Sequence, residues 1–95
     1  MSKQNRENGK KNLIAERLIS IRKDLMFSQR ELANELQLHG IDMDKNVITR
    51  IETNKRYVSD IELKALANFF KVSYEYLIDG EENNNLEISK NDTKK

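Results

Sequence analysis

One local pattern recurs along the chain with Ser or Asp at its second place: an apolar residue, that small polar residue, three further residues, then another apolar residue. The instances are Phe27-Ser28 with Leu32, Met43-Asp44 with Ile48, Val58-Ser59 with Leu63, and Val72-Ser73 with Leu77. Each is a helix start. The small polar side chain accepts a hydrogen bond from a backbone N–H that has no partner inside the helix, and the two apolar groups pack across the cap as a staple. Glu31 and Glu62, three residues after Ser28 and Ser59, complete capping boxes. Four starts in so short a span leave little room for strands, so the fold class is all-α.

A further helix precedes these, over about Asn12 to Asp24, where Ile14, Leu18, Ile21 and Leu25 recur at helical spacing. The second helix buries Leu32, Ala33 and Leu36, with Leu38 a further candidate, and Gly40 stops it in the left-handed conformation. The third buries Ile48 and Ile51, with Val47 beside them, and Asn54 takes the left-handed position after its last turn. The fourth carries Leu63, Leu66, Ala67 and Phe70 on one face. A second line, Ile61, Ala65 and Phe69, either packs on the fifth helix or forms a dimer surface. The fifth is short, with Tyr74, Tyr76, Leu77 and Ile78 ended by Asp79-Gly80.

The flanks differ in composition. Residues 1–11 are polar and mostly basic, and residues 81–95 hold only Leu86 and Ile88 as apolar groups. Neither can bury enough surface to offset the entropy of ordering, so both are expected to be disordered. The first is then either a basic arm reaching DNA phosphates or a solvated tail. The helical domain is expected over residues 12–80.

Several function classes lose their basis. Without cysteine there are no disulfides or thiolate metal sites, in keeping with a reducing cytoplasm. No apolar run approaches the ~18 residues of a membrane span, and no apolar segment follows the N-terminal lysines as a secretory signal requires. His39, the sole histidine, has no partner ligands and is expected to act locally at the end of the second helix. No glycine-rich phosphate loop, metal cluster or catalytic constellation is present, so neither an enzyme nor a cofactor or small-molecule substrate is expected. The net charge of +1 means that any nucleic-acid partner must be met by a local patch.

The third helix offers that patch. Lys45, Asn46, Thr49 and Arg50 are expected to project away from Ile48 and Ile51. An α-helix fits the major groove when it is backed by a partner helix and polar in front. Arg and Lys donate to guanine, and Asn pairs with adenine through two hydrogen bonds. Ser28 and Gln29 open the second helix, where amides and side chains meet a phosphate. Asn54, Lys55 and Arg56 would clamp phosphate on the other side.

The stretches RKDLMFSQRELANEL and VITRIETNKRYVSDIELKALANFFKVSYEYL resemble the phage-repressor and Cro helix-turn-helix family, also called the xenobiotic-response-element (XRE) family. The matching signatures are the polar-Gln-x-x-Leu-Ala opening at Ser28–Ala33, the Ile-x-x-Ile-Glu segment at Ile48–Glu52, and the Leu-x-x-Leu-Ala helix that follows. The resemblance covers roughly residues 13–79. It implies a compact five-helix, lambda-repressor-like DNA-binding domain in which the second and third helices form the helix-turn-helix. It also implies an ion pair between Arg22 and Glu52 that holds the reading helix to the first. Two features depart from the pattern. The stretch Gln37–Met43 is longer than the usual turn, and Asn54 stands where glycine is usual.

The chain is accordingly expected to be a cytoplasmic, sequence-specific regulator of transcription, a repressor that binds a double-stranded DNA operator as a homodimer. The alternative is an antitoxin-type interaction module that uses the same fold without reading sequence.

Overall fold

A computed structural model describes residues 9–80 of the chain. It contains five helices: α1 (Ala15–Asp24), α2 (Gln29–Leu38), α3 (Lys45–Glu52), α4 (Asp60–Phe70) and α5 (Tyr74–Asp79). There is no strand among the described residues. Most of the expected basic arm and all of the expected C-terminal tail lie outside them.

The four caps form as the pattern predicts. Ser28 accepts from the Glu31 amide, Asp44 from Val47, Ser59 from Glu62 and Ser73 from Tyr76. Both capping boxes close, with Glu31 and Glu62 reaching back to the amides of Ser28 and Ser59. The first helix starts later than its periodicity predicts, at Ala15. Asn12 is instead drawn into side-chain bonds with the last turn of α3 and the loop after it, and its Oδ1 accepts from the Ile14 amide.

Among the described residues the largest fully buried side chains are Leu18, Leu32, Leu36, Met43, Ile48, Ile51, Leu66 and Leu77. They come from all five helices and from the α2–α3 turn, so one core holds every element. Burying each contributes about 1.5–3 kcal/mol. Two expected core residues are exposed. Leu25 falls just past the end of α1, and Leu38, at 78% exposure, closes α2 on its outer side. The second line on α4 differs in burial along its length. Ile61 is exposed, while Phe69 packs edge-on against His39 at 5.0 Å between ring centroids and against Phe70 at 5.1 Å. Phe69 thus faces the end of α2.

The long turn after α2 has a defined path. The Gly40 amide donates to Gln37 O and the Ile41 amide to Leu36 O, which closes the helix around Gly40 at φ 80°. The Met43 amide then donates to Ile41 O, and Gln37 Nε2 to Met43 O. The extra residues fold back on the end of α2, bury Met43, and deliver Asp44 as the cap of α3.

The same closure ends α1 and α3, but with side chains at the left-handed position: Met26 at φ 63° and Asn54 at φ 62°. A residue with a Cβ there costs roughly 1–2 kcal/mol. Met26 is exposed and gains nothing from its side chain. Met26→Gly is therefore expected to raise stability by up to about 1 kcal/mol, the gain being reduced by the extra freedom of the unfolded chain. Chemical denaturation measures it, and a destabilised variant would show that Met26 carries a contact of its own.

Candidate nucleic-acid interface

α3 lies with Ile48 and Ile51 in the core and Val47 half-buried. Lys45, Asn46 and Arg50 are exposed on the opposite side. Past its Asp44 cap, α3 has no acidic residue in its first turn, whereas each of the other four helices has at least one. At that end of α3 the Asp44 cap meets the partial positive charge, and Lys45 follows it with no further carboxylate in the turn.

Thr49 departs from the expected outward strip. Its Oγ1 donates to Gln29 Oε1 at 2.8 Å, and Gln29 Nε2 donates to Glu52 Oε1 at 2.8 Å. Glu52 also accepts from Arg22, at 2.7 Å from Nε to Oε2 and 3.1 Å from Nη2 to Oε1. Arg22 Nη1 completes the set by donating to Phe27 O at 2.8 Å. The Arg22 and Glu52 side chains are only 12% and 4% exposed. This relay fixes α3 against α1 and against the first residue of α2. Periodicity gives no sign of Gln29 or Thr49 taking part, because both sit at the margin between the buried and exposed faces.

Beyond α3, Lys55 is exposed, but Arg56 is turned back into the fold. Its Nη1 and Nη2 donate to Glu62 Oε1 and Oε2, both at 3.0 Å, and Nη1 also reaches Tyr57 O at 3.0 Å. The Arg56 guanidinium holds the Glu62 carboxyl below the usual carboxylate range, with burial opposing it. What this pair contributes to stability is present at neutral pH and is lost as the pH falls through that lowered value. The signal available in the sequence was Glu62 itself, a capping-box carboxylate with an arginine just upstream.

Asn54 also acts inside the fold. Its Oδ1 accepts from the amides of Lys11 and Asn12 at 2.7 and 2.9 Å, so Lys11, the last residue of the expected arm, is attached to the domain through its backbone. Ser28 remains exposed at the N-terminus of α2. His39 sits at the end of α2, with Nδ1 2.9 Å from Glu35 O, the local role expected of it. Among the described residues no group of His, Cys, Asp or Glu could hold a metal ion, and no helix is long and apolar enough to cross a membrane.

A short helix docked by its back on α2, with cations in front, is the arrangement of a helix-turn-helix. The family profile described as helix-turn-helix, the XRE/Cro type, matches residues 18–77. The chain belongs to this family. The helix-turn-helix family is one of DNA-binding transcription regulators, and its match runs from α1 into α5, across the long turn. No curated protein and no solved structure matched the chain.

Proposed function

We propose that the chain is a sequence-specific transcriptional repressor that reads double-stranded DNA with α3 and binds as a homodimer. The observation that carries this is the exposure of Lys45, Asn46 and Arg50 on a helix whose other side is fixed by Ile48, Ile51 and the Glu52 relay. Lys45 and Arg50 supply donors for guanine, and Asn46 supplies the paired donor and acceptor for adenine. The Thr49 hydroxyl is engaged with Gln29, so its offer to a base is its methyl group, against a thymine methyl.

Phosphate contacts flank this strip. The Ser28 hydroxyl accepts from Glu31 and keeps its own proton to give. The Gln29 side chain is engaged, which leaves its backbone amide at the start of α2 for a phosphate. Lys55 contacts the backbone on the far side. One such helix reads only a few base pairs, and two copies about one helical turn apart multiply the discrimination. Occupying a promoter blocks it with no chemistry and no further ligand, so the activity is binding in the cytoplasm, not catalysis.

The test is selection of bound sequences from random duplexes, followed by binding of variants to the selected operator across a range of salt. Arg50→Ala is expected to lose about 1–3 kcal/mol on the operator and to relax preference at one base position. Lys55→Ala should weaken binding to every sequence and make its salt dependence shallower. Unchanged binding by both variants would refute the assignment of α3.

A further inference from the structure

The end of α3 with its following loop, and the residues leading into α1, are joined by two asparagines, each bonding to backbone of the other's segment. Asn54 Oδ1 accepts the amides of Lys11 and Asn12 at 2.7 and 2.9 Å. Asn12 Nδ2 donates to Ile51 O and Arg56 O, both at 3.0 Å. Asn12 is buried, at 8% exposure. Ile51 O belongs to the last turn of α3 and accepts from the Asn54 amide as well, so Asn12 fills its second lone pair. The clasp therefore satisfies groups at both ends and brings a distant segment alongside the loop that carries Lys55.

What the clasp delivers is a cation. Lys11 is exposed, and its Nζ lies 5.0 Å from the centroid of the Tyr57 ring, which is itself exposed on the α3–α4 loop. Arg56, between Lys55 and Tyr57, has its charge matched by Glu62. Lys10 lines a pocket with Glu16 and Asp79, and Lys11 lines a separate one with Asp60. Resting on Tyr57, the Lys11 ammonium keeps its positive charge, makes no ion pair among the described residues, and stays open to a phosphate.

We infer that Lys11, carried on Tyr57, is a DNA-phosphate contact adjoining Lys55, and that Asn12 and Asn54 are its positioning residues. This rests on the proposed reading of DNA by α3. It also explains why asparagine stands at position 54. Glycine would satisfy the left-handed backbone there but would release Lys11.

The experiment is a salt titration of duplex binding by the full chain and its variants, on the selected operator and on random duplex. Each phosphate contact contributes about 0.9 to the slope of log affinity against log salt. Lys11→Ala is expected to make the slope shallower by about that amount on both duplexes. Asn54→Gly should match it, and the double variant should go no further, because both changes remove one contact. An unchanged slope for Lys11→Ala, or additive losses in the double variant, would overturn the inference while leaving the reading by α3 intact. A change in melting temperature with no change in slope would assign the clasp to folding alone and overturn it too. If Asn54→Gly fails to fold, the slope of the exposed Lys11→Ala variant decides. No duplex binding by the unaltered protein at low salt would overturn both the function and this inference.

Discussion

Arg22→Ala is expected to lower the stability of the domain by about 3–5 kcal/mol. The side chain removed is largely buried, and Glu52, left behind, is 4% exposed. Glu52 would keep only the bond from Gln29 Nε2, and its charge would have no cation beside it. The carbonyl of Phe27 would lose its donor as well. For a domain of this size each kcal/mol moves the melting temperature by about 4–8 °C, so the effect is plain in a thermal melt. A loss under about 1 kcal/mol is what an exposed pair gives, and would mean that α3 is held by its apolar back alone. Arg22→Lys should recover only part of the loss, because one ammonium cannot reproduce the two bonds to Glu52 together with the one to Phe27 O.

The second large effect is expected at Met43. Met43→Ala should cost about 2–5 kcal/mol, the range for truncating a large buried aliphatic side chain. Met43 is 1% exposed and lies in the same core cluster as Leu36 and Ile48. It is also the residue through which the turn is anchored immediately before Asp44. Truncation should therefore weaken operator binding beyond what the unfolded fraction explains, since the entry angle of α3 is set there. Denaturation midpoints and operator affinity, measured on the same preparations below the melting temperature, separate the two effects. A Met43→Ala variant with native stability would mean that the turn is held by its backbone bonds and not by its apolar anchor.

How much of this could be read from residues alone follows the range over which each signal acts. The caps at Ser28, Asp44, Ser59 and Ser73 were legible because cap, box and staple all lie within six residues of one another. The polar front of α3 at Lys45, Asn46 and Arg50 was legible from helical period. The path of Gln37–Met43 was not, because it depends on Gln37 Nε2 finding Met43 O and on a core with room for one more side chain. Thr49, Arg56 and Asn54 each look like surface polar residues in sequence. Each is turned inward by a partner that is distant or on another element: Gln29 for Thr49, Glu62 for Arg56, and the amides of Lys11 and Asn12 for Asn54. Polarity alone does not say whether a side chain faces water, a ligand or another part of its own chain.

The pairing of Arg56 with Glu62 bears on how a regulator of this kind would search. On DNA of arbitrary sequence, dwell time derives almost wholly from phosphate neutralisation. An arginine tied to a carboxylate adds nothing to that dwell. Encounters with wrong sites are then brief, and the protein moves by frequent release and recapture rather than by long residence. On the operator, contacts to bases lengthen the stay without help from Arg56. Turning one cation inward therefore shortens the stay on every sequence by the same factor, which quickens the search and leaves discrimination to the contacts with bases.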